Sequence, residues 1–525
     1  MSKLPPVPDV ADSERTPLVE ALLEVIAAQR EMLHRQQEQI EALKEEVARL
    51  KKHKGKPKVS RSSLERPRRK RRERKRGGDS AKRKQVDQTV VVKAPEVPQG
   101  SRFKGYADYT VQELVMQTLT TRYRLEKWQR PDGGTITAPL PAGVQGGHFG
   151  PVLVSFVLYQ YYHAQVTEPL IVEQLREWGV EISTGQLHRL LVVGKQRFHE
   201  EKDAILRVGL QVSRHIHVDD TGARHQGKNG VCTHIGNDVF AWFSSSESKS
   251  RINFLQLLRA GHTDYVLCGK ALEYMLAQQM PKSMLGRLAQ AQGRSFADEC
   301  AWQRELRELG IVNSRHVRIA TEGALLGSVL HHGVHPELCI VSDDAGQFNV
   351  LVHALCWIHA ERNLAKLIGF NDEQREALDN VRAELWQLYR DLKAYKQAPS
   401  TNDRLRLEQR FDALCASKTC FVSLNLALKR LESNKAELLL VLERPELPLH
   451  NNLSEGDIRE YVKRRKISGG TRSEQGRMGR DTFASLKKTC RKLGISFWNY
   501  LLDRIQNQNR IPALPALIEA RAQAP

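Results

Sequence analysis

The chain has no CxxC pair among its eight cysteines and no run of eighteen apolar residues. Its opening, MSKLPPVPDVADSERTP, lacks the basic-then-apolar order of a secretory signal. The first absence argues against a disulfide framework and a thiolate zinc site. The second excludes a membrane-spanning helix. The third points to a reducing cytoplasm. At 525 residues the chain is long enough for two or three domains. Acidic residues are scarce in one place above all. Residues 51–85 hold 18 Lys/Arg against 3 Asp/Glu, so 15 of the chain's 20 net positive charges lie in that segment. Charge concentrated this way attracts a polyanion by counterion release, without reading its sequence. Nucleic acid is the leading partner, with a solvated tail as the bland alternative.

Ahead of the basic run, Leu22, Ile26, Gln29, Leu33, Gln36, Ile40, Leu43, Val47 and Leu50 follow steps of four and three. That spacing predicts a coiled-coil helix in residues 1–52, self-associating through 18–52, with Pro17 at its start. Residues 53–100 are poor in large apolar side chains and read as a disordered basic linker. Residues 101–148 read as a small β-ribbon module, because residues 122–128 alternate and run into the turn Pro131-Asp132-Gly133-Gly134. Residues 149–205 read as helices in a helix-turn-helix outline. One helix carries Leu170, Ile171 and Leu175, Gly179 turns the chain, and Ser183 caps a helix with Leu187, Leu190 and Leu191. A plain helical hairpin would look the same.

From residue 214 the period changes. Residues 214–218 form an extended run ending at Asp219-Asp220. Residues 231–235 and 239–243 follow as strands around Gly236-Asn237-Asp238, and a helix comes near 251–258. Strand, strand, strand, helix is the opening of a ribonuclease-H-like sheet. The fourth strand is expected at 337–344, an apolar run ending in Asp343-Asp344; residues 264–267 are the alternative but lack a terminal acid. Residues 265–336 then form a helical insertion in a catalytic domain spanning 206–480, followed by a helical tail, 481–525. Glu455 opens a later helix. Its position three after Asn452 allows a capping arrangement, while its shared face with Ile458 and Val462 turns it inward, where a carboxylate needs a partner or a metal. Phosphodiester chemistry needs an activated nucleophile and a stabilised leaving oxygen, which two Mg²⁺ ions (or Mn²⁺) held by carboxylates provide. Asp219, Asp343 and Glu455 are the candidate ligands and catalytic residues, with Asp220 and Asp344 as the neighbours that spacing alone does not separate from them.

Several stretches resemble the insertion-sequence-sixty-six family of transposases. His217-Val218-Asp219-Asp220-Thr221 resembles its first-aspartate motif, and Ser342-Asp343-Asp344-Ala345-Gly346-Gln347-Phe348 its second. Cys356-Trp357-Ile358-His359-Ala360-Glu361-Arg362 resembles its Cys-Trp-x-His-x-x-Arg signature. Asn451-Asn452-Leu453-Ser454-Glu455 resembles its Asn-Asn-x-x-Glu, with Arg459 and Arg465-Lys466 following. The resemblance covers roughly residues 100–505. It implies an Asp-Asp-Glu transposase acting on transposon ends and target DNA in a bacterial cytoplasm, with accessory transposition proteins a possible further partner class and no membrane role. It gives Asn452, Arg459, His359 and Arg362 supporting roles; the last two share a helix face. The family usually has a cysteine zinc module before its core; residues 101–140 contain no cysteine, so no zinc is expected there. His450 and Gly456 stand where the family usually has Asp and Arg. A catalytically inactive DNA-binding relic or regulator, and a different ribonuclease-H-like nuclease such as a junction resolvase, are the competing readings.

The basic segment gives the first prediction. If about six of its cations contact phosphates, deleting residues 51–85 should flatten the slope of log K against log [salt] by about five units. Preference between element-end DNA and random DNA should persist, because the segment has no rigid scaffold to aim at base edges. An unchanged slope in a salt titration would mean that the segment is only a solvated linker.

Overall fold

The computed structural model describes residues 16–52, 86–141 and 148–523. The basic run 53–85, the greater part of the linker expected at 53–100, therefore lies outside the described residues. The chain divides into two units, residues 47–119 and residues 1–46 with 120–525. In the smaller unit, residues 86–119 form neither helix nor strand, and Phe103, Tyr106, Tyr109 and Leu114 are exposed. Among the described residues no helix is long and apolar enough to cross a membrane.

Helix α1 is Pro17–Lys52. Its seam residues Leu22, Ile26, Leu33, Ile40 and Leu43 are exposed. Strands β1 (Lys127–Gln129) and β2 (Thr135–Thr137) pair antiparallel around Gly133, whose φ is +83°. The ribbon is shorter than the alternation in 122–128 predicts. Ala138 N donates to Glu126 O at 2.9 Å, but Pro139 has no N–H to extend the ladder. Helices α2 (Pro151–Leu158), α3 (Glu168–Glu177), α4 (Thr184–Val192) and α5 (Gln196–Val212) follow. Gly179 turns the chain at φ +76°, and Ser183 and Gln186 form a reciprocal capping box on α4.

The central sheet contains β3 (His215–His225), β4 (Lys228–Gly236), β5 (Ala241–Ser246), β8 (Cys339–Ser342) and β9 (Val352–Leu355) in the order β5-β4-β3-β8-β9. The first three run antiparallel to one another, whereas β3–β8 and β8–β9 are parallel. This mixed sheet with many helices is compatible with a ribonuclease-H-like core. The first strand corrects an expectation. It does not end at Asp219-Asp220 but continues to His225 and turns through Gln226 (φ +49°) and Gly227 (φ +80°) into β4. Two left-handed residues form the tight turn that suits a twisted hairpin. A glutamine in place of Asn or Asp there muted the signal.

Between β5 and β8 lie α6 (Arg251–Leu258), β6 (Tyr265–Val266), α7 (Gly269–Ala277), α8 (Lys282–Gln290), β7 (Ser295–Phe296), α9 (Glu299–Glu308) and α10 (Ser314–His331). Residues 265–336 are thus mostly helical, and β6 pairs with β7 outside the main sheet. A second helical block was not anticipated: α11 (Trp357–Ala365), α12 (Asp372–Tyr395), α13 (Thr401–Ala416), α14 (Val422–Ser433) and α15 (Lys435–Leu438), with its own core of Leu385, Leu388, Phe411 and Leu424. The chain then returns through α16 (Asn452–Ser468), α17 (Glu474–Lys492), α18 (Phe497–Ile505) and α19 (Leu514–Gln523).

A boundary at 480/481 would cut α17, which belongs to the core. Edge strand β5 presents alternate N–H groups, and α17 accepts them with side chains four residues apart. Ala241 N donates to Thr489 Oγ1 at 3.1 Å, Phe243 N to Ser485 Oγ at 2.9 Å, and Ser245 N to Asp481 Oδ2 at 2.7 Å. Four helical residues rise about 6 Å and two strand residues nearly 7 Å, so the two repeats stay in step. An exposed strand edge is thereby covered. Thr489→Val should strand the Ala241 N–H in a buried interface and cost about 1–3 kcal/mol, with Thr489→Ser much milder. Urea unfolding of the two variants checks this; equal stability would mean that the contact contributes only packing.

Candidate active site

The site begins where two parallel strands part. Pairing between β3 and β8 runs from His215–Cys339 to His217–Val341 and stops. Asp219 lies two residues further along β3, and Asp343 is the first residue beyond β8. The parting of β3 from β8 therefore leaves Asp219, within β3, near Asp343, just past β8.

Within each adjacent pair the structure distinguishes the members. Asp220 is tied down: Thr233 Oγ1 donates to it at 2.6 Å, Gln347 Nε2 at 2.9 Å, and Lys249 Nζ is 3.9 Å away. Asp344 turns outward to Arg430 Nε at 2.6 Å. Asp219 accepts the neighbouring Asp220 N–H at 2.8 Å. Burial pushes its carboxyl up to about 7 against that bond, and repulsion from Asp343, Glu455 and Asp220 adds to the rise. Asp343 accepts Ala345 N at 3.3 Å.

Glu455 stands in the first turn of α16. The N-cap is Asn451, and it makes no side-chain cap bond. Instead Asn451 Nδ2 donates to Val218 O at 2.7 Å, its Oδ1 meets His217 Nδ1 at 2.9 Å, and its N–H reaches Cys356 Sγ at 3.1 Å. Glu455 is held by α11: Arg362 Nη1 donates to Oε1 at 2.6 Å and Nη2 to Oε2 at 3.4 Å, and His359 Nε2 is 3.5 Å from Oε1. Burial lowers the His359 pKa against the pull of Glu455 and Asp343. Asn452 is half-buried at the start of α16, and Arg459 is exposed one turn after Glu455.

The position of α16 is set by further polar contacts to every antiparallel strand of the sheet. Ser454 Oγ meets His234 Nδ1 at 2.6 Å, and Asp457 Oδ2 lies 3.2 Å from His234 Nε2. Tyr461 Oη meets Ser245 Oγ at 2.9 Å, and Arg465 donates to the Gly222 carbonyl. Burial opposes ionisation of Asp457, yet His234 and Lys492 outweigh it and hold the carboxyl well below the usual range. Asn451, His234, Ser454, Asp457 and Gln347 are the contributors that sequence reasoning did not single out. Most lie inside or beside the motifs, but their partners are hundreds of residues away.

These residues fit a divalent cation in part. Half-buried carboxylates of like charge, one with its pKa pushed to about 7, are the electrostatic situation that a cation relieves. Among the described residues, however, no three His, Cys, Asp or Glu side chains are placed to hold one ion together. The carboxylate of Glu455 is engaged by Arg362.

Comparison with known proteins supplies independent findings. Residues 339–478 match the family model described as "Transposase IS66 family". The match includes Asp343 and Glu455 but not Asp219. A protein of Sinorhizobium fredii (strain NBRC 101917 / NGR234), named only as "Uncharacterized protein y4jO", is 42% identical over 321 residues, which is 61% of this chain and all of that protein.

Asn451→Ala should remove the donor to the buried Val218 carbonyl and cost about 1–3 kcal/mol. Chemical unfolding monitored by circular dichroism gives the value. No loss of stability would mean that α16 is positioned without this contact.

Proposed function

The chain belongs to the IS66 family of transposases, and on that premise we propose that it cleaves and joins DNA at insertion-sequence ends with Asp219, Asp343 and Glu455 on a ribonuclease-H-like core. DNA is the partner that a transposase role implies. The observation that supports the proposal is that Asp219 of β3 feels the charges of Asp343, just past β8, and Glu455, in the first turn of α16.

The residues divide the work. Asp219, within β3, and Asp343, just past the end of β8, would hold Mg²⁺ or Mn²⁺. When bound, the metal supplies activation of the attacking oxygen and stabilisation of the leaving oxygen. Glu455 provides the third carboxylate, and Arg362 anchors it with two hydrogen bonds. The Arg362 guanidinium also brings a phosphate-matching fork to the site. Asp220 orders the floor through Thr233 and Gln347. Two further parts complete the reading. The exposed seam of α1 pairs with a second copy of the chain, because a lone helix leaves Leu22, Ile26, Leu33, Ile40 and Leu43 in water. The basic run 51–85 supplies non-specific DNA affinity.

Asp219→Ala, Asp343→Ala and Glu455→Gln should each abolish cleavage and joining of end-containing DNA in Mg²⁺ while binding persists. Asp344→Ala should keep most of the activity, since its carboxylate faces Arg430. Full activity in any of the first three variants would falsify the assignment. Activity lost only with Asp344 would move the second ligand by one residue.

A further inference from the structure

The helices between β5 and β8 reach the loop after β8 through Arg251 and Phe254 of α6, and the insertion 265–336 reaches Arg251. Arg251 opens α6, and its side chain reaches in three directions. Nη2 donates to Gly346 O at 2.6 Å. Nη1 donates to Tyr274 Oη of α7 at 3.0 Å and lies 3.6 Å from Glu322 Oε2 of α10. Tyr274 Oη donates to that same Glu322 oxygen at 2.8 Å, closing the triangle. The Glu322 side chain is only 4% exposed. A carboxylate so buried needs a counter-charge, and Arg251 provides it.

What Arg251 grips matters more than what grips Arg251. Gly346 lies in the loop that follows β8, three residues after Asp343. The next two residues are also held, each by a different element. Gln347 donates to Asp220, and the Phe348 ring packs edge-on against Phe254 of α6 at 5.0 Å. Gly346 offers only its backbone, so the Arg251 bond is the polar tether on that part of the loop that comes from the insertion side.

We infer that Arg251 is a positioning residue for the Asp343 loop and that the insertion, through Tyr274 and Glu322, is what aims it. This rests on the reading of Asp343 as a metal ligand. The insertion is then a part of the active-site scaffold rather than a passive elaboration. Charge-assisted hydrogen bonds are the strong ones, and their direction is set by the fixed fork of the guanidinium. Removing the aim without removing the fold should loosen Asp343 while leaving DNA contacts alone.

The test uses the full chain. Arg251→Met alone would leave Glu322 buried and unpaired, so the informative variant is Arg251→Met/Glu322→Gln, which removes both charges together. Four readouts are compared with the unaltered protein: thermal unfolding, binding of end-containing DNA, Mn²⁺ affinity by electron paramagnetic resonance without DNA, and cleavage rate. The inference expects unfolding temperature and DNA binding to stay close to those of the unaltered protein. It expects Mn²⁺ affinity and cleavage rate to fall about ten- to a hundred-fold, the effect of losing one charged hydrogen bond. A merely structural role would leave Mn²⁺ affinity unmoved in a folded double variant, and that result overturns the inference. If the double variant does not fold, Tyr274→Phe carries the test, since it deletes one hydroxyl; unchanged Mn²⁺ affinity there overturns it equally. Asp343→Ala is the control for the underlying reading. Should that variant still bind Mn²⁺ and cleave, the proposed function fails. Should it be dead while the double variant is normal, only the positioning role fails.

Discussion

Everything at the site depends on a buried polar seam between the sheet and the two helices that follow the second helical block. Asn451, Ser454, Asp457 and Tyr461 of α16 reach β3, β4 and β5, while Asp481, Ser485 and Thr489 of α17 take up the free N–H groups of β5. Apolar packing alone would let a helix slide by a turn along a sheet. Directional bonds with little tolerance for displacement do not. The seam therefore fixes the rotation of α16 about its axis, and with it the direction in which Glu455 leaves the helix. Lys487, Lys488, Lys492 and Arg491 of α17 neutralise Asp457 and Glu460 on the same side, whereas Asp481 is held by the neutral donors of Ser245 and Tyr461.

The acids across the seam are treated differently. Asp457 and Glu460 are compensated, and their ionised forms are favoured. Asp219 is not: burial and neighbouring carboxylates disfavour its charge. One protein thus contains carboxylates whose charge is built into the fold and others, Asp219, Asp220 and Asp481, whose charge burial disfavours; of these, Asp219 is the one raised by both Asp343 and Glu455. That contrast is the physical argument for a cation at Asp219 and Asp343. Arg362 occupies the remaining carboxylate, Glu455, and so provides positive charge in a crevice that would otherwise hold three mutually repelling acids.

The strands, the apolar run ending in Asp343-Asp344 and the helix opening at Glu455 were legible because each is a local pattern. The limits of legibility were equally physical. The end of β3 was placed too early, since Gln226-Gly227 is an unusual form of the turn that joins it to β4. The block α11–α15 went unseparated, although Leu378, Val381, Leu385, Leu388 and Leu392 recur at steps of three and four. Asn452–Glu455 spacing reads as a capping box, whereas the N-cap of α16 is the neighbouring Asn451, which spends its side chain on Val218, 233 residues away. No local window contains such a bond. The same holds for choosing between Asp343 and Asp344: the sequence offers two acids, and only Arg430, brought in from α14, shows which one turns outward.

The central claim is that Asp219 and Asp343 share a divalent cation at the parting of β3 and β8. The most direct measurement is anomalous scattering from crystals of the full chain equilibrated with Mn²⁺. The account predicts a peak bridging the two carboxylates, with metal–oxygen distances of about 2.0–2.3 Å. A Mn²⁺ peak bound elsewhere, with Asp219 and Asp343 unliganded, would contradict it.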